Sequence, residues 1–230
     1  MINPDKMPED GITEYESDGT QGPKCAMCCP AALFWRNYIF NGGQTAKNQL
    51  NLFDDIEQYL ENDKNNYWQV KNGYCLIKEE TALKQLNRKL DAKLDVEEIR
   101  SRFKVGVQYD IGVLDREDHT ITQIFCSALP ISYSQIRKEI LFEKFASYIL
   151  DWSYDATFTI ASNLAKERKK RVKLFLTALG GGVFGNQLEW IEKAIKNNIK
   201  KHKNDPIDVY MVHYKFLDPV LSIEKYQTKL

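Results

Sequence analysis

The stretch VKLFLTALGGGVFGN, residues 172–186, decides how this chain is read. Leu174, Phe175, Leu176, Ala178 and Leu179 form a short, nearly unbroken apolar segment, the pattern of a strand buried on both faces of a sheet. Gly180, Gly181 and Gly182 follow, then Val183, Phe184 and Gly185. Beyond them Leu188, Ile191, Ile195 and Ile199 recur at helical spacing through residues 187–201. The order is strand, glycine loop, helix. Glycines let backbone N–H groups come close to a ligand, and the following helix turns the positive end of its dipole toward the same place. A phosphate or diphosphate is the expected guest, and a glycine-rich left-handed turn with no ligand is the competing reading. No Lys-Ser or Lys-Thr follows the glycines, so the loop is not a Walker motif. Its place near the C-terminus also fits poorly with a dinucleotide fingerprint, which sits in a first βα turn.

Composition sets the outer limits. A chain of 230 residues can bury one full core, and residues 24–230 are expected to form a single domain after an irregular N-terminal segment, 1–23. Lys plus Arg and Asp plus Glu balance at 32 each, which argues against non-specific nucleic-acid binding and leaves nucleic acid off the expected partners. The lysine clusters at 166–173 and 196–203 read as solvated helix ends. No apolar run approaches the ~20 residues that span a bilayer, so no membrane partner is expected. The polar N-terminus lacks the apolar core of a signal peptide, and a cytoplasmic location is the default, with secretion as an effector left open.

Five cysteines do not suggest a disulfide framework. Cys25, Cys28 and Cys29 form a C-x-x-C-C cluster, yet no second Cys or His pair completes a zinc set, and His119, His202 and His213 are scattered. Buried apolar thiols on a strand are the expected reading, with no metal site and no cofactor.

Residues 24–29 read as a strand ended by Pro30, and 31–45 as an aromatic, glycine-containing loop. Helical spacing appears at Leu50, Phe53, Ile56 and Leu60, then a polar, turn-like stretch at 62–72 and a short strand at 74–77. Residues 81–90 and 96–103 read as short helices or turns. Residues 105–114 and 120–128 are strands joined by the charged turn Asp115-Arg116-Glu117-Asp118, an antiparallel hairpin. A long amphipathic region at 133–166 leads back to the glycine-loop strand, and a strand at 207–213 closes the pattern. Strands alternating with helices predict an α/β domain.

From about residue 24 to 214 this order resembles the macrodomain family, whose members bind ADP-ribose. The motif that carries the likeness is Gly181-Gly182-Val183-Phe184-Gly185 at the end of a buried strand. The resemblance implies a three-layer α/β/α sandwich with a mixed central sheet. It also implies that Gly180, Gly181, Gly182, Val183, Phe184, Gly185 and Asn186 wrap a diphosphate, with Phe184 packed on a ribose. Asn41, Gly42, Gly43 and Gln44 stand where the first ligand loop would be. Asn41 and Gln44 are candidates for ribose hydroxyls, or simply an Asn-Gly-Gly turn. Two departures stand out: Cys29-Pro30-Ala31-Ala32 replaces an Asn-Ala-Ala-Asn-like motif, and only Asp18 is a loose candidate for an adenine-binding acid. Trp35, Tyr38 and Phe40 line a pocket or belong to the core.

Open α/β sheets bind ligands at the carboxyl ends of parallel strands, which nominates Ser127 and Ala128 at the end of strand 120–128 if that strand runs parallel to the glycine-loop strand. The hairpin partner then starts at that face, bringing Asp110 near the cleft. Hydrolysis of an ADP-ribosyl bond builds positive charge on the anomeric carbon, which a carboxylate can stabilise. Asp110 is therefore the first catalytic candidate, with Asp54 and Asp55 next. The pattern is similar to a divergent branch of ADP-ribosyl hydrolases, which implies removal of mono-ADP-ribose from protein side chains, arginine-linked and on a ubiquitin-type target. The alternatives are a non-catalytic ADP-ribose reader and an unrelated nucleotide or sugar-phosphate enzyme.

Overall fold

A computed structural model describes residues 52–71, 74–91, 95–113, 116–213 and 216–221. The expected strand 24–29, the loop 31–45, Asp18 and the C-x-x-C-C cluster lie outside the described residues. The chain mixes helices with small two-stranded sheets, an α/β composition. The ladders among the described residues close as three separate pairs, and these residues do not assemble the single mixed central sheet that was expected. Two compact units contain them, one with the hairpin 106–125 and one with most of the helices.

In the hairpin unit, β3 (Gly106–Val113) pairs antiparallel with β4 (Arg116–Phe125). The charged stretch expected to be a turn is strand from Arg116 onward, because Arg116 is already opposite Val113. β4 ends at Phe125, earlier than expected, which leaves Ser127 and Ala128 beyond the strand. The register runs from Gln108↔Gln123 to Ile111↔Ile121, three steps on β3 against two on β4. The extra residue is a bulge, and Asp110 takes it up in the left-handed region at φ 53°.

The helical unit begins with α1 (Asp54–Leu60) and the short α2 (Asn62–Asn65), and β1 (Gln69–Lys71) then pairs with β2 (Tyr74–Leu76), residues 70–74 of that pair being counted with the hairpin unit. Asn62 fastens the link by donating to Trp68 O at 3.0 Å and accepting Trp68 N–H at 3.1 Å. α3 (Glu80–Asp91) buries Leu83, Leu86 and Leu90, an i, i+3, i+7 stripe. α4 (Val96–Ser101) begins at Asp95, whose carboxylate caps the N–H groups of Glu97 and Glu98 at 3.0 and 3.1 Å.

The long α5 (Glu143–Arg168) carries the core. Phe145, Ile149, Trp152 and Phe158 are buried on it, as are Ala146, Leu150, Ala161 and Ala165, so apolar burial extends well around the helix. It packs against α3, α6 (Leu188–Lys201), β5 (Val172–Leu176) and β6 (Ile207–Met211). β5 and β6 run parallel, paired from Val172↔Ile207 to Leu176↔Met211, with α6 as the crossover. Leu174 and Leu176 are buried, but Lys173 and Phe175 alternate with them and are exposed. The expectation of a strand buried on both faces is therefore corrected. The apolar run hides the period of two, and α5 takes only the even-numbered side chains. No helix among the described residues is long and apolar enough to cross a membrane.

A partly buried charge cluster ties α4, α5 and the end of α6 together. Asp155 accepts from Arg100 Nη1 at 3.1 Å and from Lys201 Nζ at 2.5 Å, and faces His202 Nε2 at 3.3 Å. His202 Nδ1 lies 2.7 Å from Asp205, and the ring stacks on Phe158 at 5.3 Å. Burial alone would raise the Asp155 carboxyl. The hydrogen bonds from Lys201 and His202 outweigh it, and with the charges of Lys201 and Arg100 they hold the carboxyl below its usual range. A depressed carboxyl stabilises the fold above its unfolded pKa of about 3.9 and loses that contribution as pH falls through the folded value. Asp155→Asn should therefore melt well below the parent at pH 7, with the gap closing below roughly pH 4 in thermal melts across pH. An equal gap at every pH would show that charge at Asp155 is not what ties the helices.

Candidate functional site

The glycine loop leaves β5 at Thr177 and is pinned at both ends. At the near end, Tyr154 Oη on α5 donates to Thr177 O at 2.7 Å and accepts Leu179 N–H at 3.1 Å. Burial pushes that hydroxyl well above the usual tyrosine range, so it stays a neutral donor. Gly181 N–H then closes a turn onto Ala178 O at 3.0 Å. At the far end, Asn186 is almost fully buried. Its backbone N–H reaches Gly180 O at 3.0 Å, and its Nδ2 donates to Gly180 O at 3.2 Å and to Leu129 O at 2.8 Å. Asn186 Oδ1 is buried with no hydrogen-bond partner among the described residues.

Between the pins, Gly185 N–H bonds to Gly182 O at 3.0 Å, and Ser132 N–H bonds to Phe184 O at 3.1 Å. Phe184 meets Tyr133 edge-on, ring centres 5.6 Å apart. The loop is thus seated on residues 128–133, the segment that follows β4.

The glycines do different work. Gly180 has φ 74°, and a Cβ there would stand 2.3 Å from Ala128 Cβ and 2.6 Å from Asn186 Nδ2. Gly185 has φ 73°, and its Cβ would stand 2.2 Å from Ser132 Oγ. Both are required by backbone conformation and close packing. Gly181 has ordinary φ, but its Cβ would press on Ile191 Cδ1 of α6 at 3.0 Å. Gly182 is the exception: nothing lies within 4 Å of where its Cβ would be. Beside it Val183 is exposed. The open apex of the turn is therefore at 182–183, just ahead of α6. At the start of α6, Gln187 makes no side-chain cap, and its Nε2 reaches instead to Glu139 at 3.0 Å. The first-turn N–H groups of α6 give that end of the helix its positive character.

Of the residues nominated from sequence, the structure brings Ala128, Gly180, Gly185 and Asn186 together. Ser127 is exposed next to Ala128, and its hydroxyl turns to Ala128 O at 3.2 Å. Asn41, Gly42, Gly43 and Gln44 lie outside the described residues, as do Trp35, Tyr38 and Phe40. Asp110 sits exposed on the hairpin bulge and accepts from Thr120 Oγ1 at 3.3 Å. Asp54 is exposed at the start of α1, and Asp55 pairs with Lys104 at 2.7 Å. Tyr154 and Ser132 were not singled out from sequence. Tyr154 reads there as one more apolar position of a long helix, and its role exists only through the loop that α5 meets.

At the two described cysteines thiol chemistry is disfavoured. Burial raises the Cys75 thiol well above its usual value and the Cys126 thiol to about 11, so neither is a thiolate near neutrality. Among the described residues no cluster of three His, Cys, Asp or Glu side chains could hold a metal ion. No family model, curated protein or solved structure matches the chain.

The contrast between glycines is measurable. Gly185→Ala forces a left-handed alanine into Ser132 and should cost on the order of 2 kcal/mol in urea unfolding. Gly182→Ala should leave stability within about 0.5 kcal/mol of the parent. Equal losses at the two positions would contradict the open apex.

Proposed function

We propose that this protein binds ADP-ribose through the 180–186 loop and, as an ADP-ribosyl hydrolase, removes mono-ADP-ribose from protein side chains. The observation that carries the reading is the open apex at Gly182, held between two buried pins immediately before the N-terminus of a 14-residue helix. A turn fixed in this way presents backbone N–H groups to phosphate oxygens without first having to be ordered. The Val183-Phe184-Gly185 continuation, similar to the macrodomain loop, is what favours a diphosphate attached to a ribose over phosphate alone.

In hydrolysis the held diphosphate would position the distal ribose while positive charge grows on its anomeric carbon and water attacks. Asp110 is the first acid to test in that role, as nominated from sequence, and arginine-linked ADP-ribose is the favoured substrate, on the strength of the branch resemblance. A ubiquitin-type target belongs to the same proposal. The second reading, a non-catalytic reader, is favoured by one observation: Asp110 already accepts a hydroxyl from Thr120 and Asp55 is already paired with Lys104.

ADP-ribose at a hundredfold excess over its Kd should stabilise the fold by roughly 2.7 kcal/mol, visible as a raised Tm, while adenosine shifts it far less. Gly182→Glu has room for its side chain and should fold normally, yet place a carboxylate where phosphate binds and abolish the shift. A folded Gly182→Glu protein that binds ADP-ribose like the parent overturns the loop assignment.

Asp110→Asn separates the two activities. It should keep ADP-ribose binding and lower the release of ADP-ribose from arginine-linked substrate by roughly a hundredfold or more. A parent that binds but cleaves no linkage is a reader.

A further inference from the structure

The open face of the β5–β6 pair has a composition that the glycine loop does not explain. Alternation along β5 places Lys173 and Phe175 on the side away from Leu174 and Leu176, and the register sets Phe175 beside Tyr210. The two rings stack with centres 5.2 Å apart and planes 23° from parallel. Phe175 is 60% exposed and Tyr210 44%. Val212, one strand step beyond, is exposed as well.

Charge decides what kind of partner suits this face. Across from Lys173 is Asp208, but its carboxylate is taken by Arg171, whose Nε and Nη2 donate to it at 2.9 and 2.8 Å. Lys173 has no carboxylate partner among the described residues. An apolar protein surface laid over Phe175 and Tyr210 would bury that ammonium uncompensated, at a cost of several kcal/mol. An anionic partner with flat apolar groups satisfies both features at once.

Topology strengthens the charge. Because β5 and β6 are parallel, the loops entering them lie at one end of the pair. These loops follow the C-termini of α5 and α6, and they carry Lys169, Lys170 and Lys203, all exposed. Cations at helix C-termini are favoured by the dipole alone. Lys173 is on a strand, so that explanation does not reach it. Exposed aromatic rings on a strand face that also carries Lys173, with further exposed lysines in the loops entering the strands, are the pattern of a single-strand nucleic-acid platform, where bases stack on rings and lysines follow the phosphates.

We infer that the open face of β5–β6, with Phe175 and Tyr210 as the stacking pair and Lys173, Lys169 and Lys170 as phosphate contacts, binds single-stranded nucleic acid. The balanced total charge excludes a generally basic surface, whereas this patch is local. The inference is independent of the ADP-ribose reading.

Fluorescence anisotropy of labelled 12-nucleotide oligo(U) and oligo(dT) with the full chain tests it. Binding should be detectable below roughly 100 μM protein and weaken as salt rises. The double variant Phe175→Ala/Tyr210→Ala should weaken it by about tenfold or more, as expected when base stacking is lost. Lys173→Glu should lower affinity and reduce the slope of log K against log salt by about one. All these positions are exposed, and an unchanged Tm verifies the fold of each variant. Gly182→Glu should bind the oligonucleotides like the parent. Absence of any anisotropy change, or unchanged binding by the double aromatic variant, overturns the inference. Displacement by excess ADP-ribose, or loss of binding in Gly182→Glu, assigns the oligonucleotide to the glycine loop and likewise overturns it. So does concentration-dependent self-association in sedimentation that the aromatic variant abolishes while no oligonucleotide binds, because the face is then a contact between copies.

Discussion

The helical unit depends on the covering of α5. Its 26 residues bury aromatic and small side chains well around the helix, so no single neighbour can satisfy it. α3 covers part of it, α6 another part, and the β5–β6 pair a third. Full burial of a large apolar side chain is worth roughly 1.5–3 kcal/mol, and this helix supplies four of the largest such residues, Phe145, Ile149, Trp152 and Phe158. The polar residues of α5 are then constrained to meet partners across the same contacts. Asp155 does so with Arg100, Lys201 and His202, and Tyr154 with the start of the glycine loop. The site therefore inherits its geometry from a packing requirement that has nothing to do with a ligand.

How much of this was legible in the sequence depends on how local each feature is. The strand–glycine–helix–strand order over 172–211 was readable, because periodicity and glycine punctuation are properties of neighbouring residues. The antiparallel hairpin was readable for the same reason, whereas 80–91 and 96–101, helices in the structure, read equally as turns. Leu174-Phe175-Leu176 misled because an unbroken apolar run erases the alternation that separates an inner from an outer face. Arg116, Glu117 and Asp118 misled in the opposite way: charge suggests a turn, but antiparallel pairing tolerates charged residues in a strand. The bulge at Asp110 leaves no mark in sequence, since an aspartate can enter the left-handed region without announcing it.

The candidate site was half legible. Gly180, Gly181, Gly182 and Gly185 pointed to the loop, but sequence treats four glycines alike, whereas two are required by conformation and close packing, one is only crowded and one stands in open space. That difference is set by Ala128, Ser132 and Ile191, which approach from other parts of the chain. The acids were the weakest reading. Asp110, Asp54 and Asp55 were nominated by the expected direction of strands, and direction does not reveal that Asp55 finds Lys104 or that Asp110 finds Thr120.

The two pins on the glycine loop also bear on kinetics. A flexible turn must search among shapes before it can close on a guest, and that search slows association and gives a large unfavourable entropy of binding. Here Tyr154 and Asn186 fix the turn while the chain folds, so its ordering is part of protein stability and not of complex formation. A guest of this turn meets a finished surface, and differences in affinity among similar guests then reside in how quickly each one leaves.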